Sequence, residues 1–431
     1  MSEPVRPDIN LNLNVRGLPL SATLAINELS NSLRQQGKKI YKLGLGQSPF
    51  PVPQCVVEEL KNNAHQKDYL PVRGLPALQE SVCEYYRKTQ GLSFQAKNIL
   101  IGPGSKELMF LIQLVYYGDL VIPTPSWVSY APQAHIVGHH VKWLSTLEEN
   151  DWLLMPEELE TLCREDPNKP RLVILNYPNN PTGGTYTVDQ LKNLGEVARK
   201  YKVVMLSDEI YGETNHQGNH VSIAKFYPEG TIISSGLSKW CGAGGWRLGT
   251  FAFPDTLEWL ISSMSSVASE TFTSTSAPIQ YAAVRAFKLG TDIETYLWNS
   301  RKVLRQLGGL IHKILTEADV KVAYPKGGFY MFPNFENYRE TLKARGITKP
   351  DQLCHRLLND VGVAILPGIA FGRPETELTA RLSYVDFDGA RVLSALETMP
   401  KDYEPDEAFI RQYCGENIIA MEKTVEWLKN G

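Results

Sequence analysis

From about residue 99 to 253 the chain alternates short apolar runs with longer amphipathic ones. The runs at 99–101, 119–122, 171–175, 203–206, 231–234 and 248–253 are β-rich, whereas 105–117 and 187–201 carry apolar residues at helical spacing. Near-continuous apolar strands separated by amphipathic helices predict a mainly parallel sheet covered on both faces. The second of these helices opens on Thr187-Val-Asp-Gln190, a capping box in which side chains satisfy two orphan N–H groups. Before this region, 24–36 reads as a helix, and the three prolines of 47–53 rule out a helix interior there, predicting an extended crossing. Beyond about Asn299 the rhythm changes to a long helix, a Gly-rich strand over 327–332, another helix, strands near 363–366 and 380–383, and an amphipathic helical tail over 402–430. The expected fold is α/β: a large domain, 51–300, with a mainly parallel mixed sheet sandwiched by helices, plus a smaller α+β domain formed by 1–50 with 301–431.

A length of 431 residues accommodates that division. The formal net charge of −3 offers no basic face, so nucleic acid is not an expected partner. No run approaches the 18 apolar residues of a membrane span, and MSEPVRPDIN lacks the basic-then-apolar order of a secretory leader. Six scattered cysteines without a CxxC pair form neither a disulfide framework nor a zinc ribbon, which suggests a reducing, cytoplasmic setting. His135, His139 and His140 cluster without an HExxH motif and read as surface residues, so no metal site is expected.

The chemistry concentrates where the expected strands end, the edge at which open α/β sheets bind ligands. Asn176-Tyr-Pro-Asn-Asn180-Pro-Thr-Gly183 follows one strand and Ser207-Asp208-Glu209-Ile-Tyr211 the next. Gly236-Leu-Ser238-Lys239 leads into Gly242, Gly244, Gly245 and Arg247, and Gly102-Pro-Gly104-Ser105-Lys106 opens a helix. Taken singly, each is an ordinary turn, cap or solvated residue. Together they suit a phosphorylated aromatic aldehyde. A helix N-terminus with an arginine holds phosphate, and a carboxylate keeps a pyridine nitrogen protonated. A phenol and an amide bond a ring hydroxyl, and a lysine attaches covalently to the aldehyde. The cofactor that needs all of these groups is pyridoxal 5'-phosphate.

The run Gly236-Leu-Ser-Lys239-Trp-Cys-Gly242-Ala-Gly-Gly245-Trp-Arg247-Leu-Gly249 resembles the lysine-attachment motif of the class I aminotransferases, and the resemblance extends from about Leu18 to Ala390. It implies the fold-type-I architecture and a homodimer with shared active sites. It also implies Lys239 as the Schiff-base lysine and catalytic base, Asp208 as partner of the ring nitrogen, and Tyr211 and Asn180 on the ring oxygen. Gly104, Ser105 and Arg247 are the implied phosphate ligands, Trp127 the aromatic on the ring face, and Tyr69 the residue lent by the neighbouring subunit. Arg381 is the implied fork for the substrate α-carboxylate, with Gly46 beside it. One departure is Gly236, where some relatives carry a phosphate-binding serine; Ser238 is left without a role.

A carboxylate held by Arg381 leaves the Cα–H bond to break, which favours transamination between an L-amino acid and a 2-oxo acid, such as 2-oxoglutarate, by a ping-pong route. Lys106, Ser21 and Thr23 resemble the bacterial aspartate aminotransferase branch, where such groups face a distal carboxylate. Aromatic or kynurenine-type donors stay open, because Trp127, Tyr130 and Phe371 can line an apolar pocket. So does a lyase resembling the aminocyclopropane-carboxylate synthases. A non-catalytic pyridoxal-phosphate-binding regulator is disfavoured by the short segment before the expected cofactor domain.

Overall fold

A computed structural model describes residues 10–430. Residues 1–9, nine of the ten read above for a leader and the start of the 1–50 segment, lie outside the described part, as does Gly431 of the 301–431 segment. The strands in chain order are β1 (Tyr41–Lys42), β2 (Ile99–Gly102), β3 (Asp119–Thr124), β4 (Val141–Ser145), β5 (Arg171–Asn176), β6 (Val204–Asp208), β7 (Thr231–Gly236), β8 (Gly249–Ala252), β9 (Tyr330–Met331), β10 (Val363–Ala364), β11 (Leu366–Pro367) and β12 (Ala380–Ser383). Seven of them form one sheet in the order β2-β8-β7-β6-β5-β3-β4. Only β8 runs against its neighbours, so the sheet is mixed and mainly parallel, as expected.

Alternate residues of each strand enter different cores, as the two-residue period of a pleated strand requires. Leu120, Ile122, Leu172, Ile174, Leu206 and Ile232 pack on one face, where the helices Ser105–Val115 and Glu258–Thr271 lie. Val121, Val173, Leu175 and Met205 pack on the other, beneath Pro156–Glu165 and Val188–Lys200. The box at Thr187 forms as read, with its hydroxyl accepting from the Gln190 N–H at 3.3 Å.

A separate core joins Tyr41 and Leu43 to residues of the C-terminal part, among them Val363, Ile365 and Leu382. Here β11-β12-β9 form an antiparallel sheet, β1 pairs with β10 in parallel, and the helix Glu407–Lys429 packs along Thr291–Glu317.

Three expectations need correction. The strand expected over 327–332 is only Tyr330–Met331, because Gly327 leaves the ladder to bridge Asn215. The run 363–366 divides into β10 and β11, which pair in different sheets. The edge strand Val141–Ser145 was not expected: with one neighbour and largely exposed side chains, it lacks an apolar signature.

Candidate active site

The carboxyl ends of β2, β5, β6 and β7 meet at one edge of the large sheet, and a cavity of about 280 Å³ opens there. Its floor is Asp208, the last residue of β6 and 4% exposed. One carboxylate oxygen accepts the Tyr130 hydroxyl at 2.5 Å, and the other accepts from Ser234 at 3.3 Å and from the Ile210 N–H at 3.4 Å. Burial pushes the carboxyl up to about 6, against the pull of the Tyr130 hydrogen bond. Next to it, the Asn176 side chain donates to the Asp208 carbonyl at 2.8 Å and accepts the Asn180 N–H at 2.8 Å, which fixes the turn carrying Asn180.

Behind this floor, Glu209 accepts from Ser207 at 2.7 Å and from Ser222 at 2.6 Å, and pairs with His220 at 2.9 Å. Every oxygen of that buried carboxylate has a partner, so the turn after β6 is anchored on the side away from the cavity.

Lys239 follows β7, and its ammonium donates to the Gly46 carbonyl at 2.8 Å. Desolvation lowers its pKa to about 8, reinforced by Arg381 and Arg247 and opposed by Asp208. The same amine lies 5.6 Å from the centre of the Tyr211 ring. Burial also raises the Tyr211 phenol well above its ordinary range, and its hydroxyl is 2.7 Å from that of Tyr330.

One wall gathers groups that can hold an anion. The helix Ser105–Val115 begins at the cavity, and Gly104 before it takes φ +92°, a conformation glycine adopts without strain. A Cβ at Gly104 would sit 2.2 Å from a guanidinium nitrogen of Arg247, so the arginine occupies that space. Arg247 is exposed and donates to the Gly244 carbonyl at 2.9 Å. Ser105, Ser238 and Arg247 all line the cavity. Position 236 shows why a serine is absent there: a Cβ would lie 2.6 Å from the Leu248 carbonyl oxygen.

The opposite wall comes from the other core. Arg381 of β12, 1% exposed, donates to the Asn180 side chain at 3.1 Å and to the Gly44 carbonyl, while its Nε has no hydrogen-bond partner. Its guanidinium lies 4.9 Å from the Tyr330 ring centre and 5.0 Å from that of Phe371. Lys106, in the first turn of the Ser105 helix, reaches to 5.5 Å from the Trp127 ring centre. Desolvation and the nearby Arg247 both lower its pKa.

Thus Gly46, Ser105, Lys106, Trp127, Asn180 and Asp208 share one cavity with Tyr211, Lys239, Arg247, Arg381 and Thr23. Gly104 backs it through Arg247. Ser21 does not line it, although its hydroxyl is 3.0 Å from that of Thr23. Tyr69 stands apart from the cavity and is 89% exposed. Sequence reading overlooked Tyr330 altogether and took Tyr130 only as an apolar wall. Their hydroxyl partners lie 119 and 78 residues away, and nothing in the local pattern marks them. Among the described residues no group of three or more His, Cys, Asp or Glu side chains is placed to hold a metal ion.

Residues 38–393 match the family model described as aminotransferase class I and II. The chain is 34% identical to the aspartate aminotransferase of Geobacillus stearothermophilus, over 89% of this chain and 95% of that protein. Against the asparagine–oxo-acid transaminase of Streptococcus mutans the identity is 31%, over 84% and 92%. Among solved structures, the aspartate aminotransferase of Thermus thermophilus with maleate superposes with a TM-score of 0.80 at 28% identity, covering 90% of this chain and 98% of that one.

Proposed function

The chain belongs to the class I and II aminotransferases, and we propose that within this family it draws its amino group from aspartate or a close dicarboxylic L-amino acid. It is a pyridoxal-5'-phosphate-dependent transaminase of fold type I. The observation that carries the substrate reading is that two cations, Arg381 and Lys106, line the same cavity from different parts of the fold. Two carboxylates on one small substrate match two separated cations. The names of the relatives point the same way, as does the maleate, itself a dicarboxylate, in the Thermus structure.

The donor set fits the cofactor. A buried carboxylate, a phenol, an amide, a lysine of lowered pKa and an arginine beside a helix start are the groups a phosphorylated pyridine aldehyde requires. When bound, the cofactor supplies an electron sink for the bonds at the substrate α-carbon. In this reading Asp208 holds the ring nitrogen protonated, and Tyr211 and Asn180 bond the ring oxygen. Ser105, the Gly104 segment and Arg247 hold the phosphate, and Trp127 covers the ring. Lys239 would attach covalently to the aldehyde and, when free, would hold or move a proton at the substrate α-carbon.

Arg381 grips the α-carboxylate in the planar, two-pronged manner a lysine cannot reproduce, with Gly46 beside it. Stacking on Tyr330 and Phe371 limits its freedom before substrate arrives. Lys106 and Thr23 receive the distal carboxylate, and Ser21 supports Thr23.

The wider reading divides the chain into 51–300 and 1–50 with 301–431, supported by the separate core that Tyr41 and Leu43 share with the C-terminal part. It also includes a homodimer in which the exposed Tyr69 serves the neighbouring subunit's phosphate site. A cytoplasmic setting accords with six free cysteines, and no helix among the described residues is long and apolar enough to cross a membrane.

The test is a donor panel with 2-oxoglutarate and oxaloacetate as acceptors. Aspartate should exceed phenylalanine, tyrosine and kynurenine in kcat/KM by at least roughly tenfold, the selectivity expected from one added charge-assisted contact. Parallel double-reciprocal lines should accompany it. A higher value for an aromatic donor, or turnover of S-adenosylmethionine without an amino acceptor, would overturn the substrate reading.

A further inference from the structure

We infer that Tyr330 is a positioning residue that holds the phenol of Tyr211 and the guanidinium of Arg381 in register across the cavity, an inference resting on the roles proposed above for those two residues. Tyr330 is buried on β9, beside the strand that carries Arg381: Tyr330 pairs with Ser383 and Met331 with Leu382. Its hydroxyl meets that of Tyr211 at 2.7 Å, with the two rings edge-to-face at 5.4 Å and 83°. The Arg381 guanidinium lies 4.9 Å from the centre of the Tyr330 ring. One side chain therefore touches the group assigned to the cofactor and the group assigned to the substrate.

The direction of the hydroxyl pair follows from proton accounting. Two hydroxyls in contact share one donated proton. The Gly46 carbonyl lies 3.5 Å from the Tyr330 hydroxyl, well beyond the 2.7 Å between the two hydroxyls, so Tyr211 is the nearer acceptor for the Tyr330 proton. If Tyr211 gives its proton to the ring oxygen of the cofactor, Tyr330 must be the donor within the pair. A donated bond of this kind polarises Tyr211 and strengthens the bond it makes in turn. The titratable groups facing Tyr211 are Tyr330, Asp208, Arg381, Lys239 and Tyr130, and Tyr330 meets its hydroxyl directly. Gly46 preserves the arrangement, since a Cβ there would fall 1.9 Å from the Tyr330 hydroxyl.

The experiment uses the holoenzyme and two variants that separate the two contacts. Tyr330→Phe keeps the ring beneath Arg381 and loses the hydroxyl; Tyr330→Leu loses both. The first readout is the pH midpoint of the bound cofactor's visible absorbance. Weakening the hydrogen bond to the ring oxygen leaves that oxygen more basic, so the neighbouring proton at the Lys239 nitrogen is held more tightly and the midpoint rises. Tyr330→Phe should raise it by roughly 0.3–1 pH unit, the worth of one hydrogen bond, and by less than Tyr211→Phe does. The second readout is KM for the amino acid, expected near wild type in Tyr330→Phe and higher by roughly 3- to 30-fold in Tyr330→Leu, with a smaller effect on kcat.

If the midpoint stays fixed in Tyr330→Phe while Tyr211→Phe moves it, the inference is wrong and the reading of Tyr211 stands. If Tyr211→Phe leaves the midpoint in place, the reading of Tyr211 itself fails. Equal KM values in the two Tyr330 variants would remove the contact with Arg381 from the proposal.

Discussion

Tyr130 and Asp208 are 78 residues apart in the chain, yet the phenol donates to the carboxylate at 2.5 Å beneath the cavity floor. With Ser234 and the Ile210 N–H on the second oxygen, the carboxylate is fixed in direction and removed from water. This arrangement stabilises the charge less than burial destabilises it, because the pKa is raised to about 6. The floor therefore carries an electrostatic cost that a cation above it would relieve.

Replacing Asp208 with Asn should accordingly stabilise the cofactor-free protein while weakening cofactor binding. The folded-state pKa lies above the unfolded value, so the stability contributed by the proton on Asp208 is full below about pH 4 and is lost as pH rises through about 6. The gap between variant and wild type should open over that window and remain constant above it, at about 1–3 kcal/mol. Urea unfolding of both cofactor-free proteins at several pH values measures it. A variant less stable than wild type at pH 7.5 would contradict the account.

That floor also shows what a sequence can disclose. Asp208 ends β6, and Asn180 and Lys239 follow β5 and β7 within four residues; the apolar residues at the centres of these strands made both the sheet and its chemical edge legible. The Tyr130 and Tyr330 hydroxyl contacts were not, because each depends on how two distant segments pack. The edge strand Val141–Ser145 was missed for a related reason. It gains its conformation from β3 rather than from burial, and Lys142, Trp143 and Ser145 remain exposed. The N-terminal contribution to the site was legible only through family resemblance, since nothing local in Gly44–Leu45–Gly46 indicates Arg381, Lys239 or Tyr330.

Lys239 should impose a recognisable pH dependence on cofactor loading. The nucleophile is the neutral amine, and its pKa is lowered to about 8. Attachment of pyridoxal phosphate to the cofactor-free protein should accelerate about tenfold per pH unit below that value and level off above it, whereas an ordinary lysine would keep accelerating to beyond about pH 10. The growth of visible absorbance after mixing reports the rate. Borohydride fixation followed by peptide mapping should place the label on Lys239 and on no peptide of Lys239→Ala. A rate still climbing at pH 9.5 would remove the assignment of a depressed pKa.

Gly236→Ser tests whether the departure from the serine of some relatives can be reversed. The new Cβ would meet the Leu248 carbonyl oxygen at 2.6 Å and the Gly249 Cα at 2.9 Å, both backbone atoms of the neighbouring antiparallel strand and its approach. Neither can rotate away. The substitution should destabilise the protein by about 1–3 kcal/mol, as overpacking does, rather than tighten phosphate binding. Urea denaturation and titration with pyridoxal phosphate distinguish the two results. Unchanged stability with stronger cofactor binding would show that the strand pair yields.

Lys106→Ala addresses the choice of substrate most directly. Lys106 has a bland alternative, a solvated lysine in the first turn of a helix, where its charge is mildly unfavourable beside the positive end of the dipole. Loss of such a residue would leave every substrate equally affected. A lysine that receives the distal carboxylate instead separates substrates by their second charge. Its removal should raise KM for aspartate roughly 10- to 100-fold, the worth of a charge-assisted hydrogen bond in a partly desolvated site. KM for alanine should change by less than about threefold, because no contact with that substrate is lost. The distinction survives any general weakening of the Ser105–Val115 helix, since that helix also carries Ser105 at the anion wall and its disturbance would lower cofactor affinity for both assays alike. Equal losses with aspartate and alanine would therefore return Lys106 to solvent and leave Arg381 as the one cation assigned to the substrate.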